Sequence, residues 1–120
     1  MNTRAVLRIR RDADASLAEM GGRFVTAWRS GRSSSHVFTF ESPAALFRVL
    51  TPKRWELLER LQSLGPTTVR GLARALERDV KRVHEDVTLL CDVGLVAKTE
   101  RGRIHVPFAV IEADFALRAA

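Results

Sequence analysis

The chain has 120 residues, 46% of them apolar, and a formal net charge of +6 at neutral pH. That length fits one domain with a modest core, and the apolar fraction argues against a disordered chain. The single cysteine excludes an internal disulfide, and the longest uncharged run, LQSLGPTTV, is too short to span a bilayer. Since the first residues also lack an apolar signal-peptide core, we expect a soluble, cytoplasmic protein whose basic charge favours a polyanionic partner.

The N-terminal residues predict a strand followed by a helix. Residues 4–10 alternate in polarity, which is typical of a half-buried strand. The apolar side chains of this stretch on one face are Ala5, Leu7 and Ile9. Residues 13–29 carry apolar side chains near helical spacing and end near Trp28, although Gly21 and Gly22 interrupt the pattern.

A second strand and a short helix are predicted next. SGRSSS, at 30–35, has the composition of a loop, and HVFTF, at 36–40, is rich in β-formers. Ser42 and Pro43 are typical of a helix start. We therefore expect residues 1–50 to form a β-α-β extension followed by a linker helix.

Thr51-Pro52 starts another predicted helix, and Gly65-Pro66 ends it. Its apolar side chains at or beside helical spacing are Trp55, Leu57, Leu58, Leu61 and Leu64. We expect this face, and both tryptophans of the chain, to be in the core.

Residues 67–96 predict a helix, a turn, a second helix and the start of a strand. Thr68 and Asp79 are suited to cap the two helices, and Gly94 to end the second. The expected inward positions are Val69, Leu72, Ala73 and Leu76, then Val80, Val83, Val87 and Leu90. A basic hairpin at 98–106 follows. This order predicts an α+β fold in which residues 51–107 form a winged helix-turn-helix and residues 108–120 add a C-terminal strand or tail.

Residues 67–96 resemble the corresponding stretch of the MarR-type winged-helix regulators. The matching residues are Leu72-Ala73, Leu76, Asp79, Val83, Leu90 and Gly94-Leu95-Val96. About two-thirds of the chain resembles a small group of MarR-like DNA-binding proteins, through residues 40–62, 80–96 and 103–117. Members of that group are often thought to act as antitoxins beside a TumE-like toxin. The resemblance thus implies a DNA-binding repressor, and an antitoxin that regulates its own operator.

The chain departs from the pattern of its relatives at the turn. Glu77 and Arg78 stand where related sequences often have glycine and an apolar residue. Gly71 occupies the third helical position, where a glutamate would complete a capping box.

The outward face of the second helix supplies the candidates for reading bases in a major groove. They are Lys81, Arg82, His84, Glu85 and Thr88. The alternative is a solvated face on which Lys81 pairs with Glu85, and Arg82 with Asp86, at i, i+4 spacing. The acidic residues of 79–92 outnumber its basic ones, so this helix alone is a poor anion-binding surface.

The surrounding residues supply the candidates for phosphate contacts. They are Thr68, Arg70, Arg74 and Arg78 around the first helix, with Lys98, Arg101 and Arg103 in the hairpin. The alternative here is an ordinary solvated basic surface.

No residue pattern predicts catalysis, a cofactor or a metal. The spacings of His36, His84, His105 and Cys91 fit no usual ligand set. We interpret Cys91 as a small apolar side chain and expect no enzyme activity.

The apolar run FAVIEADFAL, at 108–117, must be covered by other structure. An added strand, a dimer contact and a surface for a partner protein are all open. Two functions follow: a homodimeric repressor bound to double-stranded DNA, or a module that neutralises a toxin protein with little DNA binding. An autoregulating antitoxin would combine them.

Overall fold

The computed structural model describes residues 3–10, 29–30 and 33–116 and has a mixed α+β architecture. It contains two compact units: residues 1–49 with 108–120, and Leu50–Pro107. Residues 13–28 of the helix predicted at 13–29, with Trp28, lie outside the described residues. Within the described part, no helix is both long and apolar enough to cross a bilayer.

A four-stranded sheet forms the first unit. In chain order its strands are β1 (Thr3–Ile9), β2 (Arg29–Ser30), β3 (Ser33–Phe40) and β6 (Val110–Asp114), and their order in the sheet is β2-β3-β1-β6. β1 pairs parallel with both β3 and β6. The strands expected at 4–10 and 36–40 are confirmed.

The loop expected at 30–35 is wrong for its described residues. Ser30 pairs antiparallel with Ser33, and Ser34 and Ser35 lie opposite Thr3 and Arg4 of β1. Arg29, expected at a helix end, is also in a strand. Serine-rich composition is typical of loops, but pairing with neighbouring strands overrides such weak local preferences.

Among the described residues of the first unit, a short helix and the segment before β6 each contribute a buried side chain. Helix α1 (Pro43–Val49) begins where the Ser42 hydroxyl accepts a hydrogen bond from the Ala45 N–H, and it buries Leu46. Phe108 is buried as well, with its ring edge-on to Phe38.

The C-terminal residues complete the N-terminal sheet. β6 runs beside β1 with Arg4 opposite Val110 and Arg8 opposite Asp114, and the Ala109 N–H donates to the Thr3 carbonyl. Arg4 also forms an ion pair with Glu112. Of the three open interpretations of this segment, the structure shows the added strand.

The second unit contains three helices and a hairpin. They are α2 (Pro52–Leu64), α3 (Val69–Leu76), α4 (Val80–Val93), β4 (Ala97–Lys98) and β5 (Ile104–His105). The side chains of Thr51, Thr68 and Asp79 each accept a backbone N–H at the start of a helix. Gly65 and Gly94, both at positive φ, end α2 and α4. These predicted caps are confirmed.

The core of the second unit is aliphatic, and three side chains expected in it are exposed: Trp55, Leu64 (43% exposed) and Val80. Its buried side chains include Leu57, Leu58, Leu61, Leu72, Val83, Val87, Leu90, Leu95 and Ile104. Trp55 is 39% exposed, because 3.6 residues per turn place it roughly a third of a turn from the centre of the buried stripe of α2. Val80 is 41% exposed, because the first side chain of a helix tilts back beyond its end.

Candidate nucleic-acid interface

A three-residue turn at 77–79 joins α3 to α4. The Glu77 N–H donates to the Arg74 carbonyl and the Arg78 N–H to the Ala73 carbonyl, at 3.2 and 3.0 Å. This pair of bonds satisfies the last carbonyls of α3 and places Glu77 in the left-handed region, at φ 56°. The glutamate therefore stands at a position that favours glycine.

Gly71, in the first turn of α3, leaves room for the side chains of Thr67 and Thr68 beside its Cα. A Cβ on this residue would lie 2.6 Å from the Thr67 hydroxyl and 3.2 Å from that of Thr68. The Thr68 hydroxyl accepts the Gly71 N–H at 3.0 Å. A larger residue at 71 would displace both threonines, so the missing capping box has a steric reason.

The outward face of α4 presents all five base-reading candidates to solvent. Lys81, Arg82, His84, Glu85 and Thr88 are exposed, while Val83, Val87 and Leu90 face inward. The Thr88 hydroxyl donates to the His84 carbonyl at 2.9 Å, so its own proton is used within the helix. The other four side chains present their polar groups outward.

The carboxylate of Asp86, also on α4, is held by arginines from outside that helix. Arg54 Nε of α2 lies 3.0 Å from Asp86 Oδ1, and Arg78 Nη2 lies 2.9 Å from Oδ2. The side chains of Arg54, Arg78 and Asp86 are only 21%, 16% and 14% exposed. The cluster ties α2, the turn and α4 together, and solvent screens it less than a surface pair.

This cluster changes two expectations. The pairing of Arg82 with Asp86 is wrong, because Asp86 is bound to Arg54, 32 residues earlier, and to Arg78, in the turn before α4. Among the ion pairs of the described residues, none involves Lys81, Arg82 or Glu85. The charged groups of the outward face are therefore not neutralised by one another.

Arg78 is not an open phosphate-binding residue in this structure. Its guanidinium is mostly buried and committed to Asp86, and its Nη1 atom is buried with no hydrogen-bond partner. The regular spacing of Arg70, Arg74 and Arg78 suggested one row. The left-handed turn at Glu77 ends α3 before Arg78 and directs that side chain elsewhere.

The other basic candidates lie on α3, the helix before α4, and in the hairpin after it. Arg70 and Arg74 are exposed, one helical turn apart on α3. Thr68 is exposed too, although its hydroxyl already accepts the cap hydrogen bond.

The three basic side chains of the hairpin are also exposed to solvent. Lys98, Arg101 and Arg103 are exposed. The loop at 99–103 closes through the Thr99 N–H, which donates to the Arg103 carbonyl at 2.7 Å. Gly102 adopts φ 80° within this loop.

The remaining polar candidates lie apart from this face. His36, in the first unit, packs its ring edge-on to Phe108, with centroids 5.3 Å apart. No group of three metal-ligating side chains occurs within residues 3–10, 29–30 and 33–116. Burial raises the pKa of the half-buried Cys91 thiol, with a smaller opposing effect of Lys98, so its nucleophilic thiolate is disfavoured at neutral pH.

Sequence reasoning missed Arg54 and misplaced the partner of Asp86. The i, i+4 rule pointed to Arg82, the neighbour of Asp86 on the same helix. Arg54 precedes Asp86 by 32 residues and meets it only when α2 packs near α4. An acidic residue at the border of the buried stripe was the available signal, since such a group requires a partner.

The chain belongs to the HVO_A0114 family, whose model matches residues 49–113, more than half of the sequence. The matched region contains the whole second unit and most of β6. No curated protein and no solved structure shows significant similarity to the chain.

Proposed function

We propose that this member of the HVO_A0114 family binds double-stranded DNA through a winged helix-turn-helix formed by residues 51–107. One observation carries the proposal: the exposed face of α4 is free of internal ion pairs, and the helix before it and the hairpin after it both carry exposed arginines. A helix presented in this way can lie in a major groove while its neighbours hold the backbone.

The connectivity of the second unit supports the winged-helix assignment. Thr67, just before α3, exchanges two backbone hydrogen bonds with Ile104 of β5, at 3.0 and 2.8 Å. β5 also pairs antiparallel with β4. A short extended segment, two helices and a hairpin that returns to the segment form the arrangement expected of a winged helix.

The roles within the interface divide between reading and holding. Lys81, Arg82 and Glu85 occupy the first two turns of α4, the part of such a helix that reaches base edges. Arg82 suits a guanine edge and Glu85 a cytosine amino group. Arg70 and Arg74, with the hairpin residues Lys98, Arg101 and Arg103, contact phosphates without specifying sequence.

A binding titration with two variants tests these roles. Binding to DNA from the chain's own promoter is measured by fluorescence anisotropy at several salt concentrations. Arg82→Ala changes the ranking of operator variants at one base position, by about 1–3 kcal/mol. Arg74→Ala weakens all sequences alike and makes the salt slope shallower by about 0.9. Absence of binding by the parent chain at low salt would contradict the proposal.

We further propose a homodimeric repressor. Two-fold related α4 helices would read two half-sites about 10 base pairs apart, the spacing of one helical turn of DNA. Footprinting combined with light scattering of the complex tests this. A single protected half-site with one protein chain would exclude the dimer.

A toxin-neutralising module remains the second candidate, favoured by an exposed aromatic pair in the first unit. The rings of Phe47 and Phe115 lie 6.1 Å apart, edge to face, with 56% and 37% of each residue exposed. Exposed apolar clusters mark protein-binding surfaces. An antitoxin would use this unit for its toxin and the other unit for its operator.

Point substitution tests this candidate better than truncation. Removing residues 108–120 would take β6 and Phe108 out of the first unit and disrupt its sheet. Phe47→Ser leaves the sheet intact and should abolish co-purification of a toxin produced from the neighbouring gene. Retained complex formation would argue against this surface.

A further inference from the structure

We infer that Asp86 sets the specificity of the DNA interface by withholding Arg78 from the phosphate backbone. This inference rests on the proposed function. Phosphate contacts raise affinity for every sequence alike, whereas base contacts raise it for one. A carboxylate that occupies an arginine beside the reading helix therefore keeps non-specific binding low.

The position of Arg78 makes it the relevant arginine. It immediately precedes Asp79, which caps α4 by accepting the Arg82 N–H at 3.2 Å. Helix N-termini are among the groups that contact phosphates in protein–DNA complexes. A free guanidinium here would add a phosphate contact next to the base-reading residues.

The geometry shows that Arg78 is held away from solvent. Its Nη2 atom donates to Asp86 Oδ2 at 2.9 Å, and the two side chains are 16% and 14% exposed. The other carboxylate oxygen, Oδ1, accepts from Arg54 at 3.0 Å. With both oxygens of Asp86 occupied, one acidic group neutralises charge from two separate elements.

The same ion pairs also reduce the negative charge that α4 presents on its outward face. The three acidic residues of this helix, with the cap Asp79, outnumber its two basic ones. Asp86 is turned inward onto the arginines, so its negative charge does not add to the outward face. Asp86 thus removes one cation from the phosphate-binding set and one anion from the reading face.

A purely structural role for the cluster predicts different behaviour. If it only pins α2 to α4, its loss lowers the free energy of unfolding and weakens DNA binding, without steepening the salt dependence. The slope of log K against log salt distinguishes the two, because it reports the number of phosphates neutralised, about 0.9 for each.

The test uses the full-length chain, with operator DNA and a scrambled duplex of equal length. In Asp86→Asn, the released Arg78 should steepen the slope on scrambled DNA by about 0.9 and tighten that binding roughly three- to tenfold at moderate salt. The ratio of operator to scrambled affinity should fall. Adding Arg78→Gln to Asp86→Asn should reverse the gain.

A second comparison holds even if Asp86→Asn fails to fold, as judged by circular dichroism. In the otherwise unchanged chain, Arg78→Gln should leave the salt slope unaltered because Arg78 does not reach phosphate. Arg74→Gln, the exposed control on α3, should make the slope shallower by about 0.9. Equal losses in the two variants would overturn the inference.

The remaining outcomes separate this inference from the proposed function. If the parent chain binds operator DNA and a folded Asp86→Asn shows an unchanged or shallower slope, the inference is wrong and the proposed function stands. If the parent chain binds neither duplex at low salt, both are wrong.

Discussion

Glu77, in the turn between α3 and α4, has a strained backbone conformation that ends α3. Glu77 is the one non-glycine residue at positive φ in the described part of the chain. A left-handed conformation costs a side-chain-bearing residue about 1–2 kcal/mol. Its backbone N–H and that of Arg78 close α3 in return, so the conformation is imposed by the helix end and not by the glutamate side chain.

Replacing this glutamate should therefore stabilise the protein. In Glu77→Gly the relief of strain exceeds the added freedom of the unfolded chain, and the free energy of unfolding should rise by about 0.5–1 kcal/mol. Urea denaturation followed by circular dichroism measures the change. Glu100→Gly, an exposed glutamate in the hairpin loop, is the control and should not stabilise. A decrease in stability for Glu77→Gly would show that the side chain has a contact that outweighs the strain.

The charged residues of the interface differ in what they have available for DNA. Arg74 and Arg82 are exposed, whereas Arg78 is mostly buried against Asp86. All three are arginines near the same turn, and they differ in that, among the described residues, only Arg78 forms an ion pair with a carboxylate. The effect of an arginine substitution on DNA binding should thus follow the exposure of its guanidinium and not its distance from α4 in the sequence.

The helices of the second unit begin at residues with capping side chains, and two of them end at glycines. Thr51, Thr68 and Asp79 each accept an N–H three residues ahead, and glycines follow α2 and α4. These contacts span at most a turn of helix, which is why the spacing of residues predicted them. The start of α4 also orients the residues proposed to read bases.

Loss of the cap on α4 should affect both stability and DNA binding. Asp79→Ala removes the acceptor for the Arg82 N–H and should lower the free energy of unfolding by about 1 kcal/mol. Operator affinity should fall as well, because the first turn of α4 frays. Thermal denaturation and the anisotropy titration measure the two effects. Asp92→Ala, at the exposed end of the same helix, is the control and should leave stability nearly unchanged.

Sequence periodicity does not decide whether a side chain at the edge of a helix's apolar face is buried. Trp55 is apolar and lies three residues before Leu58, which predicts a place in the core. The buried stripe centres on Leu57, Leu58 and Leu61 instead, and Trp55 is left at its border. Periodicity identifies an apolar face, but the neighbouring elements decide how wide a part of it is covered.

At the scale of the whole molecule, the two ends of the chain build one sheet. β6 pairs with β1, and the ring of Phe108, just before β6, lies edge-on to those of His36 and Phe38 in β3. The second unit is therefore inserted between two parts of the first. The C-terminal residues are needed for the first unit even though the proposed DNA contacts lie in the second.

A buried aromatic residue tests this organisation. Phe108→Ala should lower the free energy of unfolding by about 3–5 kcal/mol, because it leaves a cavity against two rings. Phe47→Ala, which is 56% exposed, is the matched control and should cost well under 1 kcal/mol. Chemical denaturation monitored by tryptophan fluorescence and circular dichroism provides both values. Similar costs for the two variants would contradict the packing described for Phe108.

Local chemistry in the sequence accounts for the order of the helices, their caps, the hairpin and the exposure of the face of α4, because these depend on residues within a turn or two of one another. Long-range packing determines the rest: the pairing of β6 with β1, the position of Trp55 and the partners of Asp86. The segment from Thr67 to Val96 depends on both. Its helices follow from spacing and capping, whereas the burial of Arg78 against Asp86, with Arg54 on the other oxygen, requires α2 to pack beside α4.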